Sequence, residues 1–178
     1  MKRPSVLRRT TIYRGRVIRL VREVLMVSGQ RIVRETVQHP GAVVIVPFLD
    51  RDRIVFVRQY RRAVDRVLWE LPAGTLGARE NPAACARREL EEETGWRAGR
   101  LRRLGQFFAA PGFTSERMTV FLASGLTRGV QRTEPDELLR PVTLSLASAL
   151  AKIRSGAICD AKSIIGVLFA IRARVRRT

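Results

Sequence analysis

"GTLGARENPAACARRELEEETGW", residues 74–96, is the stretch on which the fold is decided. Helix punctuation stands at both ends: Asn81 can cap, Pro82 suits a first helical position, and Gly95 suits a left-handed C-terminal cap. Numbered from Pro82, residues Ala83, Ala86 and Leu90 form one apolar stripe. Glu89 and Glu93 are four apart and Glu92 follows Glu89 by three, so these three carboxylates point at one volume, while Glu91 faces elsewhere. The acids crowd the last turns, where the macrodipole disfavours each anion by about 0.3–1 kcal/mol. Arg87 and Arg88 precede Glu91 and Glu92 by four, the weaker ion-pair orientation, and offset part of that cost.

A divalent cation would reverse the sign of the arrangement. Oxygen donors without nitrogen or sulfur suit Mg²⁺ or Mn²⁺ and disfavour zinc. On charge pattern alone, a solvated acidic helix face stays open as the alternative.

The spacing goes further. It reads G-x5-E-x7-R-E-U-x-E-E-x-G-U, where U is bulky and apolar, filled by Gly74, Glu80, Arg88, Glu89, Leu90, Glu92, Glu93, Gly95 and Trp96. On these residues the chain resembles the Nudix hydrolase family. The resemblance implies an α/β fold, an α/β/α sandwich with a mixed sheet, in which this stretch forms loop–helix–loop. It implies Mg²⁺-dependent hydrolysis, with Mn²⁺ a possible substitute, of a nucleoside diphosphate linked to another moiety. Glu89, Glu92 and Glu93 would be metal ligands, joined by the carbonyl of Ala73, and Glu92 and Glu93 are also catalytic candidates. Glu80 and Arg88 would hold the loop and the carboxylates, with Gly74 and Gly95 structural. The chemistry is coherent: metal ions neutralise a diphosphate and acidify a water, and one carboxylate can take the proton.

The flanks are similar to the ADP-ribose pyrophosphatase branch of that family: "HPGAVVIVPF" (39–48), "FVRQYRRAV" (56–64), "LWELPAG" (68–74), "APGFTSE" (110–116) and "DAKSIIGVLFA" (160–170). By that resemblance Arg61, and more weakly Arg58, would contact substrate phosphates or the terminal ribose. Glu116 would bind metal or substrate, and Pro111 and Gly112 would shape its loop. A late-loop acid, Glu134, Asp136 or Glu137, would serve as base, with Glu137 favoured because "LLRPV" begins just after it. His39 reads as a turn histidine. The expected reaction gives AMP and ribose 5-phosphate from ADP-ribose; GDP-mannose, ADP-glucose or NADH are the alternatives. Two departures stand out. "TLGAR" (75–79) lacks an acid where related members often carry one, and Pro141 is expected to interrupt the strand after the late loop.

Around this centre the chain organises as strands mixed with at least three helices. "RVIRLVREVLMV", "SGQ" and "RIVRETVQ" read as a hairpin. "GAVVIVPFL" reads as a strand buried on both faces. Residues 1–40 form an expected N-terminal antiparallel β-region, matching an element that crosses between subunits of a homodimer in the resembled branch; residues 41–178 form the expected hydrolase domain. The start, "KRPSVLRR", reads as a basic arm.

Bulk composition adds limits. The chain has 178 residues and is 46% hydrophobic, enough for a core. Cys85 and Cys159 make no disulfide framework, no apolar run follows "MKRPSVLRR", and the longest apolar runs cannot span a bilayer, so a cytoplasmic location with no membrane association is expected. Net charge is +18, and 31 of the 34 basic residues are arginine. Attraction to phosphate-rich partners is one reading and an arginine-biased surface another. The arginines spread over the whole chain and the acidic face is intact, so a nucleic-acid-binding module is not favoured over a small nucleotide-sugar substrate.

Overall fold

The computed structural model describes residues 3–133 and 138–175. The chain divides into two compact units, Met1–Gly41 with Phe108–Arg117, and Ala42–Phe107 with Met118–Thr178.

In the first unit, β1 (Ser5–Arg14), β2 (Arg19–Val27) and β3 (Gln30–Gln38) form an antiparallel sheet with β2 in the middle. The β2–β3 hairpin turns on Ser28 (φ 48°) and Gly29 (φ 80°), the paired positive φ values that a two-residue turn requires to match strand twist. The expected basic arm is instead strand β1. Its residues alternate too weakly to announce a face, and all ten are exposed; backbone pairing to β2 defines it. The loop 110–116 is tied to β3: Val37 N donates to the Phe113 carbonyl (2.8 Å) and Ser115 N to the Val37 carbonyl (2.9 Å).

In the second unit, β4 (Ala42–Pro47), β7 (Ala73–Thr75), β8 (Trp96–Phe108) and β9 (Arg117–Arg128) make a sheet in the order β7-β4-β9-β8, mixed because β4 runs antiparallel to β7 and parallel to β9. β5 (Arg53–Arg61) pairs with β6 (Arg66–Glu70) and β10 (Leu139–Ser145) in a second, antiparallel sheet. All six residues of β4 are buried. Val44 and Val46 pack into a core with Val167 and Ala170 of α3 (Ala161–Val175), while Val43 and Ile45 pack with Cys85, Ala86 and Leu90 of α1 (Pro82–Thr94). Helices therefore cover both faces of this strand, which is the α/β/α sandwich and the reason an unbroken apolar run was needed. α2 (Leu146–Arg154) is capped by Ser145, whose side chain accepts from Ser148 N. Pro141 does not interrupt β10, which pairs through it to Val57. β10 is an edge strand, where a missing N–H costs no ladder bond.

Candidate active site

The site grows from the ends of α1. Asn81 Oδ1 accepts from Ala83 N (2.8 Å), Pro82 opens the helix, and Gly95 (φ 69°) closes it by donating to the Glu91 carbonyl (2.8 Å). This fixes which side chains face β7. The apolar stripe of Ala86 and Leu90 is fully buried, so the helix is not free to rotate its acids away.

Arg88 gathers three of the acids. Its Nε and Nη2 grip Glu80 (3.0 and 3.1 Å), and Nη1 lies 2.8 Å from Glu89 Oε1 and 2.9 Å from Glu92 Oε2. The hydrogen bonds from Arg88, then one from Gly77 N, pull the Glu80 carboxyl down to about 2. The Glu80 bonds in turn raise Arg88. Glu89 lies against Gly74: a β-carbon there would fall 1.9 Å from Glu89 Cδ. Glu93, 2% exposed, accepts from Ala73 N (3.2 Å). Glu91 leaves this face, pairing with Arg97 (2.8 Å) and accepting from Val130 N (3.4 Å).

Among the described residues, no three His, Cys, Asp or Glu side chains form a metal cage by themselves. A divalent cation that takes one or two carboxylates, waters and substrate phosphates does not require one. Two observations fit such an ion. Glu89 and Glu92 bring carboxylate oxygens within 3 Å of a single point, now held by Arg88 Nη1, and Gly74 leaves the space that the Glu89 carboxylate fills. The donors are hard oxygens throughout.

Arg61, at the end of β5, makes a two-point contact with Glu70: Nε to Oε1 at 2.8 Å and Nη2 to Oε2 at 2.7 Å. Those bonds raise Arg61, which also feels the charge of Glu93. Arg58 lies over the Trp69 ring (4.5 Å), with Nε buried and without a hydrogen-bond partner. Pro111, Gly112 and Glu116 belong to the first unit. There Glu116 Oε1 is 3.9 Å from His39 Nε2, and His39 Nδ1 accepts from Gly41 N (3.1 Å). The late-loop acids Glu134, Asp136 and Glu137 lie outside the described residues.

Sequence reasoning missed Glu70 and Lys162. Glu70 is 1% exposed, and Lys162 Nζ bonds its Oε2 and pairs with Asp160 (3.0 Å). The signal was a lone acid inside the apolar run "VLWELPAG", which a buried strand end carries only with a partner.

A NUDIX domain profile matches residues 38–160. The chain belongs to the Nudix hydrolase family. The methanol dehydrogenase activator of Bacillus methanolicus and the ADP-ribose pyrophosphatase of Bacillus subtilis (strain 168) are each 37% identical over 161 residues, covering 89% of this chain and 87% of the relative. The ADP-ribose pyrophosphatase of Mycobacterium tuberculosis is 40% identical over 163 residues, 89% of this chain and 78% of the relative. A crystal structure of an ADP compounds hydrolase superposes with a TM-score of 0.86 at 25% identity, over 99% of this chain and 96% of its own. Within the Nudix frame, Arg88 is a counter-ion shared among the acids of the motif. No described helix is long and apolar enough to cross a membrane.

Proposed function

We propose that this Nudix hydrolase cleaves the diphosphate linkage of ADP-ribose to AMP and ribose 5-phosphate, with Mg²⁺ as cofactor and Mn²⁺ as a substitute. The observation that carries the reading is the convergence of Glu89 and Glu92 beside Gly74, with Glu93 turned onto Ala73. The ADP-ribose pyrophosphatase relatives and the ADP compounds hydrolase support the substrate class.

A bound Mg²⁺ would neutralise phosphate oxygens and lower the pKa of water. Glu89, Glu92 and Glu93, with the Ala73 carbonyl, would hold it. One carboxylate, from Glu92, Glu93 or the late loop, takes the proton as water adds to one phosphorus and the bridging oxygen leaves with the other. Arg61 uses two of its five N–H donors on Glu70, leaving three for a phosphate. Arg58, Pro111, Gly112 and Glu116 are assigned to substrate binding on the flanking motifs alone.

The test is hydrolysis by purified protein with Mg²⁺ across ADP-ribose, ADP-glucose, GDP-mannose and NADH. ADP-ribose is expected to be cleaved fastest; cleavage no better than background overturns the assignment. A homodimer through the N-terminal β-region is part of the same reading. It is supported by exposed Val6, Leu7, Ile12 and Tyr13 on β1, and sedimentation as monomer alone at micromolar concentration would remove it. A cytoplasmic location is supported by two unpaired cysteines, Cys85 and Cys159.

A further inference from the structure

Four charged side chains of the second unit form a chain in which the reaction gives a role to Arg61 alone. Arg61 Nε and Nη2 contact both oxygens of Glu70. Lys162 bonds Glu70 Oε2 and pairs with Asp160 at 3.0 Å. Asp160 Oδ2 accepts from Ser163 N (3.1 Å) and Ser163 Oγ (2.5 Å), and Ser163 Oγ accepts from Leu71 N (2.7 Å). The first turn of α3 thus clamps residues 70 and 71, directly ahead of Ala73 and Gly74.

Burial along this chain is uneven. The Glu70 side chain is 1% exposed and that of Lys162 11%, whereas that of Arg61 is 39% exposed. An acid buried this deeply persists only when paired, since a lone buried carboxylate is strongly penalised. Burial pushes the Glu70 carboxyl up, but the bonds from Arg61 and the charge of Lys162 outweigh it and leave it lowered. Lys162, itself paired with Asp160, bonds the same Oε2 of Glu70 that Arg61 Nη2 contacts. Glu70 therefore presents a fixed two-point acceptor to the guanidinium of a partly exposed side chain. A long, rotamer-rich arginine on a strand end is otherwise mobile, and immobilising such a side chain opposes binding.

We propose that Glu70, held by Lys162 and Asp160, is a positioning residue that locks Arg61 in the orientation that receives a substrate phosphate. The proposal rests on the diphosphatase reading above. Its logic is preorganisation: the ordering is done in the folded protein, so the phosphate meets an already aimed guanidinium.

A double-mutant cycle on kcat/KM, for whichever diphosphate in the panel the wild type cleaves best, tests it. Glu70→Gln keeps the volume but removes the charge and one acceptor. It is expected to lower kcat/KM by about tenfold to a hundredfold, the range for a lost hydrogen bond to a charged group. In an Arg61→Ala background the same change is expected to cost less than about twofold, because its effect runs through Arg61. Losses that multiply, or a Glu70→Gln enzyme with wild-type kcat/KM, overturn the assignment; a general structural role would give multiplying losses. Should Glu70→Gln not fold, Glu70→Asp runs the same cycle, keeping the anion for Lys162 but shortening the reach to Arg61. Wild-type protein that cleaves no diphosphate overturns the functional reading and this proposal together. Cleavage with multiplying losses overturns this proposal alone.

Discussion

The carboxylate of Glu89 occupies the space where a side chain at Gly74 would begin, with Cδ 1.9 Å from the place of a β-carbon. The glycine is needed for close approach and not for its φ. Gly74→Ala is expected to push Glu89 away from the point it shares with Glu92. Glu89 is a flexible side chain with 12% exposure, so the strain is relieved by its movement and the cost in stability stays near the low end of about 1–3 kcal/mol. A displacement of about 1 Å at the site costs about a hundredfold in rate. Steady-state kinetics and thermal melting of the variant check this pair of outcomes; unchanged kcat would break the link between Gly74 and catalysis.

The Glu80–Arg88 contact sets a pH dependence whose sign is fixed. Arg88 and Gly77 hold the Glu80 carboxyl at about 2, below its ordinary 4.5. A folded value below the unfolded one gives stability that is complete above the unfolded value and lost as pH falls toward the folded one. In metal-free buffer, the melting temperature of wild type is therefore expected to exceed that of Glu80→Gln by a constant margin above about pH 5. The margin shrinks between about pH 4.5 and 2. A margin that widens on acidification would contradict the assignment.

The parts of this protein legible in its sequence are those set by near neighbours. Asn81, Pro82 and Gly95 act within a few residues of themselves, and each stands where its local chemistry implied. The run "AVVIVP" announced a doubly covered strand because both its faces are apolar. What sequence could not show depends on long loops. Arg61 meets Glu70 across a turn, and Lys162 meets Glu70 over 92 residues. Nothing in "DAKSIIG" says where its lysine goes. The resemblance gives Glu80 and Arg88 a role in holding the loop and the carboxylates, but spacing alone does not show that they bond each other, eight residues apart and from outside the helix into it. Strand β1 was unreadable for the opposite reason: it buries no face of its own, so no hydrophobic alternation marks it.

Glu91 offers a contrast within the same helix turn. Its carboxylate pairs with Arg97, whose side chain is 60% exposed, and accepts from Val130 N. Exposed pairs of this kind contribute little to stability, because water screens them and both side chains lose freedom on pairing. Glu91→Gln is expected to keep kcat/KM within about twofold of wild type and to lower stability by no more than that pair contributes. A large loss of activity with the melting temperature intact would place Glu91 on the catalytic face after all.

Glu93 tests the chemistry most directly. It sits 2% exposed at the C-terminal turn of α1 and accepts from Ala73 N. Glu93→Gln keeps an amide oxygen that can accept the same bond, so the β7 contact survives and the melting temperature is expected to change little. The amide lacks the charge a divalent cation requires and cannot act as a base near neutral pH. A role as ligand or base therefore implies a fall in kcat of at least about a hundredfold, the low end of general-base contributions. Mg²⁺ titration of the residual activity separates the roles. A lost ligand raises the Mg²⁺ concentration needed for half-maximal rate, whereas a lost base lowers the plateau and leaves that concentration unchanged. Wild-type kinetics in this variant would remove Glu93 from the site and, with it, the reading of the acidic face as a metal centre.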